Sequence, residues 1–406
     1  MSNTNKVIDM ITQEALKVAH ETPSFLKTIN MQYDDQYKAS NTGKKGASLR
    51  IREPVQFDVT DGRVIDLQDV TETNQTLTVA TQKHVAFRFN SAELTTDIED
   101  ISERYIAPAT KKLIAMIEHD VLTGVTKDVY QLAGLPGTVV GAGGNIQQLY
   151  DAMAKINQQC APDDPSRRRA VVDSVTMARI AGTGVVDLFH AAPQIESAFT
   201  EGRVLRTAFA DIYTNEKTWT MPNAADVQTT LDTYTIVEGD TDITTAALSA
   251  AAVEGMVFTL DGVYDVHPET KQAYSHLKQF VVQSSSTTVV TFTPAIRLTG
   301  ARKNVAAVDG TDLTVSGLTT TTVNFVGSAS TNYRQNLMYD KDAFTFVMAD
   351  LPLFGGADKC NRGQRDGFAL RVWVDGDIKN DEQIFRMDAL YGYLAQRPDW
   401  ASRITN

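Results

Sequence analysis

The sequence predicts an α+β chain in which an all-β domain interrupts a mixed body, and three observations carry that reading. Helical periods occupy only a few stretches, the longest running through Ile98, Ile101, Tyr105, Ala109, Leu113, Met116 or Ile117 and Val121. Alternation with period two dominates residues 47–90. From Pro222 to about Gln335 the chain turns rich in Thr, Val, Ala, Ser and Gly with many short strand patterns, after which the earlier character returns.

The elements follow in order. Val7, Ile8, Ile11, Ala15 and Val18 place one amphipathic helix over residues 5–20, which stops before Pro23. Leu49, Ile51, Val55, Phe57 and Val59, then Val64, Ile65 and Leu67, then Leu77, Val79, Val85, Phe87 and Phe89 read as long strands joined by polar turns such as "TDGR". So little apolar surface per residue cannot build an independent core, which predicts a protruding hairpin supported by neighbours. In the long helix that follows, Asp97, Glu99, Asp100 and Glu103 lie early and Lys111 and Lys112 later, as the helix dipole favours. Pro108 either kinks it or marks the first turn of a second helix. A further helix spans 144–159, and the chain up to Thr220 alternates short helices with strands such as "RAVVDSV". "DAFTFVMADLPLF", "FALRVWVDGDIKNDEQIFRMDALYGYLA" and "RPDWASRI" read as strands that complete the first body, making the β domain an insertion.

Composition excludes several classes. The 406 residues carry a formal net charge of -12, so phosphates are not attracted globally and sequence-specific DNA reading is disfavoured. Cys160 and Cys360, the only two cysteines, have no C-x-x-C partner and suggest neither a disulfide framework nor a structural zinc. The first twenty residues lack the pattern of a signal peptide, and no window has the length of a membrane span.

Each candidate for chemistry has a plainer reading. Gly43-Lys44-Lys45-Gly46 resembles a phosphate cradle but leads into a strand, where a P-loop needs G-x-x-x-x-G-K-[ST] before a helix. "GTVVGAGGNIQQLYDAM" suggests a dinucleotide turn at Gly141 and Gly143, but Ile146 stands where a small residue is needed. "DGDIKNDEQIFR" begins like a calcium loop, yet Lys379, Asn380 and Arg386 occupy positions that require an oxygen ligand, glycine and glutamate; a hairpin turn fits better. His267 and His276 are close enough in sequence to meet across a turn, though ordinary surface histidines explain them more simply. The basic run at Arg167 to Arg169 reads as solvated. No reactive constellation emerges, so no cofactor or metal is expected and the chain reads as one that works through its contacts.

The order of these parts resembles the major capsid proteins of tailed phages with the Hong Kong 97 fold. An N-terminal helix, the extended segment with "LRIREPVQF" and "TLTVATQKHVAFRFN", the long helix "DISERYIAPATKKLIAMIEHDVL", a mixed α/β domain and a C-terminal return of strands carry the likeness. "GMVFTLDGVYDVHPETKQ", "YRQNLMYDKDAFTFVMADLPL" and "RMDALYGYLAQRPDWASRI" narrow it to P22-type coat proteins, whose axial domain holds an inserted β-barrel.

That resemblance implies an N-arm (1–36), an extended loop (37–90), a peripheral domain with the spine helix (91–140 and 365–406), an axial domain (141–221 and 339–364) and an inserted β-barrel (222–338), expected to fold independently. It further implies hexamers and pentamers of the chain in an icosahedral procapsid. A scaffolding protein and a portal protein would be partners, and double-stranded DNA would be enclosed without sequence-specific binding. Assembly in the host cytoplasm, residence in the virion and no membrane partner belong to the same expectation. Lys44, Lys45, Arg50 and Arg52 are expected to face acidic patches of an adjacent subunit or to be simply solvated. The segment Glu238 to Glu254, with Asp240 and Asp242, reads as a contact loop or a plain surface loop. Two other readings remain at this point: a nicotinamide- or flavin-dependent enzyme built on the Gly141 loop, and the shell of a cellular nanocompartment.

Overall fold

The computed structural model describes residues 3–33, 48–60, 62–65, 67–68, 72–90, 102–138, 140, 147–182, 206–207, 210–231, 236–307, 310–311, 321–353 and 359–405. The chain divides into two units. Unit 1 comprises Met1–Ile51, Asn74–Val121 and Phe344–Leu394, and unit 2 comprises Arg52–Thr73, Leu122–Ala343 and Ala395–Asn406.

In unit 1, helix α1 (Asn3–Glu21) buries Thr12, Ala15, Leu16 and Ala19, the i, i+3, i+4, i+7 stripe expected of an amphipathic helix. That stripe lies against strands Lys359–Arg365 and Phe368–Asp377, and Asn361 donates a side-chain hydrogen bond to Thr12. The sheet beneath runs Phe344–Ala349, Glu382–Ala395, Phe368–Asp377, Lys359–Arg365, with Thr81–Asn90 also antiparallel on Glu382–Ala395. Phe87, Phe89, Tyr105 and Phe385 form an aromatic cluster; the Phe87 and Phe385 rings stack at 5.4 Å, and the edge of one of Phe89 and Tyr105 meets the face of the other at 4.7 Å.

Helix α2 (Ala107–Asp128) follows a π turn at Ser102–Ile106, so Pro108 sits in a first helical turn, where its missing N–H costs nothing. Its buried face includes Leu113, Ile114, Ile117 and Val121, while Met116 is exposed; of the two residues left open by the period, Ile117 is the core residue. Fully buried Glu118 accepts hydrogen bonds from the backbone N–H groups of Ser24 and Phe25 at 2.9 and 2.6 Å, which fixes the turn after α1. Tyr391 donates its hydroxyl to Asp120, which also pairs with Lys83 at 3.3 Å.

Unit 2 holds a mixed sheet in the order Leu132–Ala133, Ala401–Thr405, Asn332–Asp340, Arg168–Val172, Ala210–Thr214, Arg206–Thr207, with Thr220–Pro222 also on Asn332–Asp340. Two of its pairings are parallel, Ala401–Thr405 on Leu132–Ala133 and Arg168–Val172 on Ala210–Thr214. Helices α3 (Gln147–Gln158) and α4 (Ser174–Gly182) supply Leu149, Ala152, Met153, Ile156, Met177 and Ile180 to a core with Ala170, Val172, Met338 and Ile404.

The second sheet of unit 2 is antiparallel in every described pairing. Its order is Asp242–Thr244, Val289–Thr293, Ala273–Ser285, Val257–Val266, Thr322–Phe325, Gln228–Thr230, and Val305–Ala306 adds to Val257–Val266. A bridge between Leu231 and Thr245 joins the two outer strands, and Ala246 N–H donates to the Thr230 carbonyl at 2.8 Å. Phe258, Phe280, Phe292 and Phe325 fill the inside of this sheet with aliphatic neighbours, forming a core of its own.

Strand partners differ from the sequence reading in three places. Thr81–Asn90, expected in the protruding hairpin of 37–90, is a strand of the five-stranded sheet. Phe344–Ala349, expected with the axial segments, also belongs to that sheet. Ala401–Thr405, expected with the spine-helix domain, lies between Leu132–Ala133 and Asn332–Asp340 in the mixed sheet. Alternation identifies a strand and its inward face, but the ladder partner is a long-range choice that a local pattern does not encode.

Candidate assembly surfaces

The segment expected to form continuous strands after residue 47 is regular only at its root. Ser48–Arg52 and Asn74–Thr78 pair in a two-stranded sheet, whereas residues 53–60 have no ladder. Leu49, Ile51, Leu77 and Val79 join Val347 and Ala349 in a small core, so the root is well seated. Above it, Glu53 N–H donates to the Thr73 carbonyl at 3.0 Å, and the Thr73 hydroxyl donates to Glu53 at 2.6 Å. Arg302 donates to that same hydroxyl at 2.7 Å. Further out, the Gln68 side chain bonds both the N–H and the carbonyl of Asp58, at 2.9 and 2.6 Å.

On this hydrogen-bonded frame the apolar side chains point to solvent. Phe57 is 64% exposed, Val59 95%, Val64 88%, Ile65 82% and Leu67 89%. Five large apolar residues presented together within eleven positions form a patch of the kind that marks an interaction site. The alternation was a true signal of apolar content, and no part of the described chain covers these side chains.

The charged candidates divide. Arg50 is exposed on the strand whose Ile51 faces inward. Arg52 lies 3.6 Å from Glu72 across the loop root. Lys44 and Lys45 lie outside the described residues. Asp240 is half-buried, and its carboxylate accepts the Val237 N–H at 2.6 Å, closing a turn. Asp242 is exposed at the start of the outer strand Asp242–Thr244. Beside them Glu238 accepts from the Leu298 N–H at 2.6 Å and pairs with Arg297 at 3.3 Å.

The basic run is a correction. Arg167 bonds Asp340 at 2.9 Å and Asp342 at 2.5 Å, Arg169 pairs with Asp211 at 3.1 Å, and Arg168 is fully buried with its guanidinium on the Pro162 carbonyl. These arginines are internal ties, not solvated charges: carboxylates remote in sequence fold onto Arg167 and Arg169, and the chain just before it closes over Arg168. The Asp377 carboxylate accepts from Lys379 N–H and the Asn380 amide within a tight turn, as expected of a hairpin. His267 uses its Nδ1 to accept the Glu269 and Thr270 N–H groups, and His276 lies 3.5 Å from Asp265. Among the described residues no group of three His, Cys, Asp or Glu side chains is placed to hold a metal. Gly141 and Gly143 lie outside the described residues. No described helix is long and apolar enough to cross a membrane.

Sequence reasoning missed the buried polar groups that tie unit 2 together. Arg403 is fully buried; it donates to the Gly255 carbonyl at 2.6 Å and the Lys127 carbonyl at 2.8 Å, with its guanidinium 5.6 Å over the Trp219 ring. Burial pushes its pKa down, opposed by the charge of Asp128. Asp265 binds Lys278 at 2.7 Å and accepts from Gln159 at 3.0 Å; burial raises its pKa, but the Lys278 charge and its hydrogen bonds outweigh this and hold it at about 2.

The chain is a strand-rich α+β protein with few helices that displays apolar surface on an extended loop. One solved structure shares the fold, and others align more loosely. A chain of Mycobacterium phage Che8 aligns with a TM-score of 0.52 at 10% identity, over 94% of this chain and 90% of that one. The mature capsid of bacteriophage PhiM1 aligns at TM-score 0.45 and 13% identity, over 89% and 82%. The virus-like particle from Pyrococcus furiosus aligns at 0.42 and 8%, over 98% of both chains. Among curated proteins no sequence matches. The family model described as P22 coat protein, gene protein 5, matches residues 5–402, and the chain belongs to that family. It is a major capsid protein, the subunit of an icosahedral phage head shell.

Proposed function

We propose that this subunit assembles into a procapsid together with a scaffolding protein and a portal, enclosing double-stranded DNA without reading its sequence. The exposed apolar loop 57–67 carries the reading, because a shell subunit must close large heterologous interfaces by symmetry and such a loop supplies contact area without a larger core. The loop then lies on a neighbouring subunit, with Lys44, Lys45, Arg50 and Arg52 beside acidic groups there. The antiparallel sheet whose outer strands meet at Leu231 and Thr245 serves as the inserted β-barrel, with Asp240 and Asp242 on its contact loop. The net charge of -12 supports enclosure without tight binding of DNA. Assembly in the host cytoplasm and residence in the virion belong to the same proposal.

The loop is tested by a double substitution, Phe57→Asp with Ile65→Asp. Both side chains face solvent in the subunit, so its melting temperature should stay within about 2 °C of the parent, as surface changes away from packed features do. Shell yield in sedimentation should fall at least about tenfold, since desolvated carboxylates would enter each interface. Undiminished shells would remove the loop from the interface.

A further inference from the structure

At the root of the antiparallel sheet of unit 2 lies a small cavity walled by Tyr130, Gln131, Lys155, Gln159, Asp265 and Gln279. Two features make it a joint. Gln279, on Ala273–Ser285, uses its side-chain amide as an extra strand would: the oxygen accepts the Leu132 N–H at 2.9 Å and the nitrogen donates to the Leu132 carbonyl at 3.1 Å. It thereby covers the edge of the mixed sheet at Leu132–Ala133. Lys155, on α3, donates to that same Gln279 oxygen at 2.6 Å.

The ammonium of Lys155 is poorly compensated. Among the described residues no carboxylate lies within ion-pair distance of it. The Asp265 oxygens are occupied by Lys278, Gln159, His276 and the Val266 N–H. Gln131 donates to the Asp399 carbonyl, while its own side-chain oxygen is buried without a hydrogen-bond partner on the cavity wall. A charge held by one neutral carbonyl in such a site favours any arrangement that returns it to water.

We propose that the joint between the antiparallel sheet and the mixed sheet of unit 2 is proton-linked, and that Gln279 leaves Leu132 more readily when Lys155 is protonated than when it is neutral. Burial lowers the Lys155 pKa from 10.5 to about 8, opposed by the charge of Asp265, reinforced by Lys278 and opposed more weakly by Asp151 one turn earlier on α3. A base whose pKa is depressed in the closed state binds protons preferentially in the open state. Opening is therefore easiest below the closed-state pKa and becomes harder as pH rises from about 8 toward 10.5. The other groups facing the cavity do not reproduce this change: Asp265 stays charged with its pKa near 2, Tyr130 is pushed well above the ordinary phenol range, and Lys278 is held on Asp265. His276, the remaining titratable wall residue, belongs to the strand of Gln279 and is separated from Lys155's role by substitution of Lys155 itself.

The Leu132 amide reports the joint directly, because its acceptor is the Gln279 side chain. Hydrogen–deuterium exchange of that amide in the unassembled full chain, corrected for the intrinsic rate at each pH, should show the opening constant falling about tenfold from pH 7 to pH 9. In Lys155→Met the constant should already be low at pH 7 and should not change with pH. A constant that is flat with pH in the parent overturns the proposal without need of the variant. So does a Lys155→Met protein that keeps the parent's pH dependence, which would transfer the effect to His276.

Discussion

Replacing Arg403 with alanine is expected to destabilise unit 2 by about 3 kcal/mol, from two lost charge-assisted hydrogen bonds and the void left against Trp219, less the recovered cost of burying the guanidinium. The carbonyls it serves have no easy substitute. One is at Lys127, in the last turn of α2, where backbone carbonyls lack helical partners and a cation is favoured. The other is at Gly255, which has a φ of +90° and where an added Cβ would come 2.5 Å from the Trp219 ring. Arg403 thus joins the C-terminal strand, the end of α2 and the start of the antiparallel sheet at one buried point. Thermal unfolding of purified Arg403→Ala should show a lower midpoint, and expression at elevated temperature should shift the protein into the insoluble fraction. Arg403→Lys, which keeps the charge but cannot span both carbonyls in one plane, should fall between. An Arg403→Ala protein as stable as the parent would show that the guanidinium's desolvation cost cancels its bonds.

Substituting Gly392 with alanine is expected to cost about 3 kcal/mol, at the upper end for overpacking, because the obstruction is backbone and cannot rotate away. A Cβ at this position in Glu382–Ala395 would lie 2.9 Å from both the Thr78 carbonyl carbon and the Val79 Cα, and closer still to the Thr78 oxygen. Thr78 ends the strand that roots the extended loop. The substitution should therefore loosen that root before the rest of the sheet. Limited proteolysis of Gly392→Ala should cleave near residues 74–80 faster than in the parent, with a lower melting temperature. Unchanged cleavage would mean that the strand shifts without cost.

Much of this architecture is legible in the sequence because it is written in local periods. α1, α2, α3 and the strands of the antiparallel sheet announce themselves; Pro108 left a kink and a helix start both open, and the structure shows the helix start. What was not legible depends on contacts that a local period does not encode. Arg168 looks like a solvated arginine until Pro162 and Met153 close over it. Gln279 is an ordinary polar residue of a strand until Leu132 presents an unpaired edge to it. The exposure of Phe57, Val59, Val64, Ile65 and Leu67 was concealed by their alternation, which is the same whether the partner is the subunit's own core or another molecule. On the proposal that this loop lies on a neighbouring subunit, that ambiguity is physical, since the core that buries such residues is completed only by assembly.

The central claim is that this chain works by closing into a shell, and electron microscopy of the expressed full chain with a candidate scaffolding protein tests it most directly. The account predicts closed icosahedral particles of megadalton mass, with density for one subunit's loop 57–67 on its neighbour. Small discrete oligomers that never close with scaffold present, and that bind a nicotinamide or flavin cofactor in calorimetry, would contradict it.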